Sequence, residues 1–429
     1  MNGDYTYDQF TSEVQTMAER NTDWYDLLFR NALSHNHTLS ISGGTEQTTY
    51  YGSLGYSDTQ STGRSSASKR YTLNTRLNSW LKPDKLYLGV SLRAYTTKND
   101  GYSTMAGVNP NTYAYNTSRT VPAFDEDGNP YMYETRYASV SGLFGTTIHG
   151  VPSRRKYSIL NETENTGMNS DISSFLGTLD FHWYIIPDLV YELFGSFEKN
   201  TTKVINWANE NSTYIADIRG YMKGDVEKGS EWESLSPLPY GGVYSESNKT
   251  VETALLRNTL RYNKTFAQDH TLGVMGVSEI RTIKTKGLSA KYAGWYPDRG
   301  NTFNPILTTP YLDSAWITIP VKTGHIQNYV SWLGNLMYSY KDKLTLSGNI
   351  RMDGSNQFGS NPKYRFLPVW SIAGKYTLSN EKFMQKQSVV NYLAFRASYG
   401  IQGNVDSGTS PDLVIRIGSL NLSLIHISE

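Results

Sequence analysis

"HTLSISGGTEQTTYYGSLGYSD", residues 37–58, is the stretch whose reading decides the fold. Leu39 and Ile41 share one side while Thr38, Ser40 and Ser42 share the other, because successive strand side chains point to opposite faces. The chain turns at Gly43-Gly44 and the alternation resumes, with Tyr50, Leu54 and Tyr56 opposite Tyr51, Ser53 and Ser57. The two runs read as a hairpin with one apolar and one small-polar face. In a water-soluble sandwich the apolar side would meet a core, so one hairpin leaves the architecture open.

Repetition of the pattern, and the placement of charge within it, narrows the choice. In "RYTLNTRLNSWL" Tyr71, Leu73, Leu77 and Leu81 oppose Asn74, Arg76 and Asn78; in "KLYLGVSLRAY" Leu88, Val90 and Leu92 oppose Arg93 and Tyr95. "SSFLGTLDFHWYII" sets Phe175, Leu179, Phe181, Trp183 and Ile185 against Asp180 and His182, and "LVYELFGSFEK" sets Leu189, Tyr191, Leu193 and Phe197 against Glu192. Further on, Leu256 and Leu260 oppose Arg257 and Arg261, and Leu346 and Ile350 oppose Arg351. Strand-interior charge keeps to one face; Asn258 is a polar exception on the apolar side, and Lys264 and Lys375 are exceptions near strand ends or in weaker patterns. Runs of about ten or more residues exceed the usual globular strand and match tilted membrane-spanning strands. Trp183, Trp332, Tyr338 and Tyr340 fall near the ends of apolar faces, as an interfacial aromatic girdle does.

Connections alternate in length. Short turns at "GGTEQ", "KPDK", "PD", "FAQDH" and "KDK" alternate with long polar segments at about 98–171, 204–248 and 285–326. Short turns at one end and long loops at the other mark outer-membrane barrels, and a sandwich or propeller has no need of that asymmetry. The expected fold is therefore all-β: a transmembrane antiparallel β-barrel with lipid outside and a wet lumen inside.

Composition agrees. The 429 residues carry 40 Lys and Arg against 39 Asp and Glu, a balance that gives nucleic acid no footprint. Absence of cysteine excludes disulfides and thiolate metal sites, and 33 Tyr beside 36 Gly favour strands with amphipathic aromatic rims. A mean hydropathy of −0.50, with no long apolar run, excludes a spanning helix and is blind to barrels. The amino-terminal segment "MNGDYTYDQFTSEVQTMAERNTDWYDLLFRNA" lacks the basic start and apolar stretch of a secretion signal.

From "TDWYDLLFRNALSHNHTLSISGGTEQTTYYGSLGYSD" onward the chain resembles the SusC/RagA family of TonB-dependent outer-membrane transporters of the Bacteroidota. "LDFHWYIIPDLVYELFGSFE", "RYNKTFAQDHTLGVMGVSE", "YSYKDKLTLSGNIRMDGSNQFGSNPKYRFLPVWSIAGKYTLSNEKFM" and "VNYLAFRASYGIQGN" follow in order, so the resemblance runs from Asp23 to Asn404. It implies a barrel of about 22 strands around an amino-terminal plug, a SusD-like surface lipoprotein as lid, oligosaccharides or peptides as cargo, and energy from the TonB–ExbB–ExbD complex. It implies no cofactor and no catalysis. Against that pattern the chain is expected to be partial. About a dozen strands are read over residues 35–421, and no plug or TonB-contacting motif is found. Residues 1–34 read as the external connection after a missing first strand, with Met1 an internal methionine. "LSLIHISE", Leu422 to Glu429, matches the translation of a transposon end used in sequencing libraries and is expected to be adapter. Such a partial barrel, expressed alone, is expected to aggregate through its unpaired edges.

Candidate residues follow from these faces. Tyr102, Tyr113, Tyr115, Tyr131, Tyr133, Trp207, Trp232, Trp295 and Tyr296 lie in the long connections, where aromatic faces stack on sugar rings or pack loops together. Arg76, Arg93, Asp180, Glu192, Arg257 and Arg261 face the expected lumen, toward a plug or a ligand. "DEDGNP", Asp125 to Pro130, has a calcium-loop spacing but lacks the distal Glu, and reads as a solvated turn. His35 and His37 share a face without a third ligand, so no metal site is assigned. A siderophore or vitamin receptor of the same architecture, a secreted all-β carbohydrate-active enzyme and a passive porin are the competing readings.

Overall fold

The computed structural model describes residues 6–134, 147–148, 151–152, 156–303, 318–358, 366–386, 389–403, 415–417 and 425–427. Twelve long strands form one sheet in chain order: β1 Ser34–Gly44, β2 Thr48–Gln60, β3 Ala67–Lys82, β4 Leu86–Gly101, β5 Thr166–Ile186 and β6 Leu189–Ala208, then β7 Gly242–Phe266, β8 His270–Tyr296, β9 Thr318–Tyr340, β10 Leu344–Ser355, β11 Leu367–Thr377 and β12 Ala394–Ile401. Each pairs antiparallel with its chain neighbours, and a two-residue piece, Thr302–Phe303, adds to β8. Among the described residues β1 and β12 are unpaired edges, so the sheet is part of a barrel wall.

Register confirms the two faces. Leu39 sits opposite Leu54 and Ser40 opposite Ser53, and the rows continue through Leu73 and Asn74 into β4. The apolar side is bare: Leu39 is 74% and Ile41 64% exposed, and Leu54, Leu179, Trp183, Leu260, Leu336, Ile350 and Ile372 follow on the same side. Half-exposed large apolar side chains on every strand are incompatible with water and suit hydrocarbon. Asn258, on this face, accepts a hydrogen bond from the Tyr191 hydroxyl at 2.6 Å through Oδ1, which shields its amide. No helix of the described residues is long and apolar enough to cross a membrane.

The hairpin ends are asymmetric. Residues 45–47, 83–85, 187–188, 267–269 and 341–343 make tight turns at one end. Gly44, at φ 147°, lets Thr45 N–H reach the Thr48 carbonyl at 2.7 Å; a Cβ there would lie 2.1 Å from that oxygen. Successive turns are tied together by Lys264–Asp188 at 2.9 Å, Lys341–Asp269 at 3.2 Å and Lys343–Glu381 at 2.8 Å.

At the other end the strands run further than the sequence pattern suggests. Strand β4 continues to Gly101, β6 to Ala208 and β8 to Tyr296, and their partners resume at Thr166, Gly242 and Thr318. The pattern stops earlier because, beyond lipid, neither face demands alternation, while backbone pairing continues. Placement of Trp207, Trp295 and Tyr296 in loops is thereby corrected: all three stand on strand ends. The connections are not structureless. Helix α1, Tyr7–Glu19, starts with a Thr6–Gln9 capping box, and Asp23 caps α2, Trp24–Leu28. Helices α3 Pro110–Asn116 and α4 Ile159–Asn165 fold above β4 and β5, and α5 Thr213–Arg219 and α6 Glu231–Leu235 above β6 and β7. Of Leu422 to Glu429 only 425–427 lie within the described residues, paired with 415–417.

Candidate functional site

The inward face of the sheet brings the expected charges together. Phe194 pairs in register with Asp180 and with Arg257, and Glu192 with His182 and Thr259, so β5, β6 and β7 present them side by side. Asp180, Glu192, Arg257 and Arg261 line one concavity of about 510 Å³ with Glu279, Ser331 and Arg351. Arg76, Arg93 and Asp180 line an adjoining one of about 470 Å³ with Tyr51, Asn74, Asn78 and Tyr87. Asp180 and Phe194 border both, so all six inward candidates belong to one continuous wall.

The two concavities differ in charge balance. Around the first, arginines meet carboxylates on neighbouring positions: Arg257 Nη2–Glu279 at 2.6 Å, Arg261–Glu192 at 3.2 Å and Arg351 Nε–Asp353 at 2.6 Å. Around the second, Arg76 Nε donates to Asn78 Oδ1 at 3.2 Å, and neither Arg76 nor Arg93 makes an ion pair among the described residues. His182 Nε2 lies 2.9 Å from Asp180 Oδ1, below a cluster in which Trp80 packs on Tyr87 at 5.5 Å and on Tyr184 at 5.7 Å. This surface can hold polar solutes or a polar protein segment through paired charges and amides, with aromatic faces at its turn end.

Glu279 and Asp353 were missed by sequence reasoning. On β8 the inward side also carries Met275, Val277 and Ile283, so apolar residues lie on both faces and the alternation that exposes a charge is blurred. The signal available was parity alone: Glu279 and Arg281 fall two apart, in register with Arg257 and Leu255.

The aromatic candidates separate into three groups. Tyr102, Tyr113 and Tyr133 are spent on packing: Tyr113 meets Trp24 edge-on at 5.0 Å, Tyr133 meets Tyr157 at 5.9 Å, and the Tyr102 hydroxyl accepts from Ser65 N–H. Trp207 and Trp295 pack together at 5.9 Å with Tyr244 and, through it, Phe303, while Tyr296, buried, lies under the Arg299 guanidinium at 4.4 Å. Tyr115 at 81%, Tyr131 and Trp232 remain exposed and make no ring contact among the described residues. In "DEDGNP" Asp125 Oδ1 accepts from the amides of Asp127 and Asn129, which makes it the anchor of a turn. His35 and His37 face outward against Tyr56 at the loop end of the sheet.

Above the wall, two buried clusters hold the connections. Trp24, Leu28, Val108, Ala114, Ala123 and Ile159 form one, and Ala208, Ile215, Ile218, Leu238, Val243 and Ala293 the other. Glu162 joins them: its carboxylate accepts from Thr213 N–H at 2.6 Å and Asn161 Nδ2 at 3.0 Å, capping α5 from α4. Burial raises its pKa despite the hydrogen bonds, which favour the charged form. Arg219, also buried, gives hydrogen bonds to the carbonyls of Leu238 and Glu210, and burial lowers its pKa.

A meander of long strands with a lipid-suited outer face, a charged inner face and loops at one end is the wall of an outer-membrane β-barrel. The comparisons take this further. No family model matches the chain. It is 28% identical over 388 residues to TonB-dependent receptor P26 of Formosa agariphila, covering 90% of this chain and 34% of that protein. It is 22% identical over 406 residues to TonB-dependent receptor SusC of Bacteroides thetaiotaomicron, covering 91% and 36%. Among solved structures, the RagAB peptide transporter superposes with a TM-score of 0.66 at 17% identity, covering 99% of this chain and 46% of that one. The RagAB peptide importer in its closed-closed state gives 0.65 at 19%, covering 96% and 41%. The chain is similar in sequence to TonB-dependent receptors of the SusC type and in fold to RagAB, and it spans about a third of the length of the curated relatives it matches.

Proposed function

We propose that this chain is part of the barrel wall of an outer-membrane transporter that imports a nutrient, an oligosaccharide or a peptide, under TonB control. The observation that carries the reading is the continuous inward wall from Arg76 to Arg351, polar and charged, backed by an outward face fit for lipid. In this reading Arg76 and Arg93, which lack carboxylate partners among the described residues, meet a plug or a ligand. The paired Arg257, Arg261 and Glu192, with Asp180, keep the facing lumen hydrated. Tyr115, Tyr131 and Trp232 offer ring faces to cargo or to a SusD-like lid. The oligosaccharide reading draws on the kinship to SusC and the peptide reading on the likeness to RagAB, whose names concern those proteins. The work of transport is done by TonB, ExbB and ExbD, and the transporter binds and moves its cargo unchanged.

The test is deletion of the gene in its own host, followed by growth on single oligosaccharides, on peptides and on iron-siderophore complexes. Loss of growth on an oligosaccharide or peptide, restored by the intact gene but not by one lacking its TonB-contacting segment, is expected. Loss confined to iron supply would replace this reading with the siderophore receptor. Growth restored without TonB contact would replace it with a porin.

A further inference from the structure

We infer that the outward face of β8 and β9, at the loop-ward border of the apolar band where Ile326 and Leu288 still face outward, binds the phosphate of outer-leaflet lipid head groups through Lys284, Lys286 and Lys322; this rests on the membrane reading of that face. Outward residues on β8 run Leu272, Val274, Gly276, Ser278 and Ile280, and the next outward charge is Lys284. Lys286 follows on the same face, and Lys322 of β9 pairs in register with Leu288, two positions further. All three lysines are exposed, and none makes an ion pair among the described residues.

Other strands of the sheet balance their outward charge towards the loop end. Lys69 meets Asp58 at 3.9 Å, Lys199 meets Glu252 at 3.5 Å and Lys203 meets Glu246 at 3.2 Å. Glu252 stands in register with Lys284, yet it is already engaged by Lys199. From β6 to β9 the outward border therefore holds five lysines and two glutamates, an excess of three positive charges. Like charges on adjacent same-face positions repel. The anion found where an apolar band ends is a lipid head group, and each basic side chain near such a surface favours binding. A phosphate monoester, small and doubly charged, fits three ammonium groups better than a zwitterionic head group.

The experiment reconstitutes the full-length transporter in phosphatidylcholine vesicles and measures boundary-lipid selectivity by electron spin resonance. The probes are spin-labelled phosphatidic acid, whose head group is a bare phosphate monoester, and spin-labelled phosphatidylcholine. Phosphatidic acid is expected to be preferred about fivefold, with the preference weakening as salt rises. In K284Q/K286Q/K322Q, checked for folding by its heat-dependent gel mobility, the preference is expected to fall to about one. If that variant does not fold, the salt response of the native protein decides alone. Equal association of both lipids, or an unchanged preference in the variant, overturns the inference while the membrane reading stands. Loss of the preference on adding inorganic phosphate would make this a free-anion site and also overturn it. Absence of any immobilised boundary lipid would instead overturn the membrane reading itself.

Discussion

The wall and the layer above it are made of the same chain and obey opposite burial rules. In the wall Leu39, Ile41 and Leu260 are displayed, and in the external connections Ile159 and Ile215 are fully buried. The difference lies in the solvent each region faces. Hydrocarbon accepts an apolar side chain without penalty, so the wall needs no core on its outer side and is held by backbone pairing. The connections stand in water and must bury their apolar groups among themselves and against the strand ends at Ala208, Val243 and Ala293, which the two clusters around Trp24 and Ile215 accomplish. A large hydrophobic residue thus carries no fixed structural meaning here until the medium beside it is known.

The comparison breaks most readily in the external layer. In the full-length protein Ile215→Ala is expected to destabilise that layer by about 2–5 kcal/mol, the cost of a cavity in a closed core. Hydrogen exchange should show loss of protection at α5 and at the strand ends around Ala208 and Val243, with protection in the turn-ward halves of β6 and β7 unchanged. Equal loss along the whole strands would mean the two regions fold as one unit. On the wall, Leu260→Arg places a charge on the lipid face and is expected to cost about 2–4 kcal/mol in urea titrations of vesicle-bound protein. Asn263→Arg, at an exposed position on the inward side, is expected to change little, and similar costs for the two would refute the assignment of faces.

A finer test uses Glu162, the link between the two external clusters. Its folded pKa is raised, so its contribution to stability is fully present below the ordinary value of 4.5 and is lost as pH rises through the raised value. Exchange at the α5 amides should therefore grow faster than the intrinsic pH effect across that window. Glu162→Gln should flatten the response, and a response that persists would place the titrating group elsewhere. The smallest effect is expected at the inward ion pairs. A double-mutant cycle on Arg261 and Glu192, which are partly open to water, should give a coupling below about 1 kcal/mol. A larger coupling would show the lumen to be drier than its charges suggest.

Much of the wall was legible in the sequence because a period of two, once repeated, states both faces. Leu39 with Ile41, and Arg257 with Arg261, announce their sides without any knowledge of partners. The turns were legible too, at "KPDK", "FAQDH" and "KDK". Where β8 carries Met275 and Val277 inward beside Val274 and Ile280 outward, the period fades, and Glu279 went unread with it. Strand ends beyond the membrane were lost for the same reason, and Trp207, Trp295 and Tyr296 were misplaced. Local signals for α1 existed in the Thr6–Gln9 capping box. Nothing local showed that the helix α2 behind Asp23 would bring Trp24 to Tyr113.

The sequence by itself determined strand order, facing and the end at which the loops gather, since these depend on the identity of every second residue and on the lengths of the links between runs. Tertiary structure alone decided which charges meet and which aromatics are consumed by packing. Arg257 finds Glu279 and Arg261 finds Glu192 only through register, and Tyr113 loses its ring face to Trp24, 89 residues earlier in the chain. The physical reason is that facing is a property of one strand's backbone. Partnership depends on how separate segments come to lie beside one another, which no short window of sequence contains.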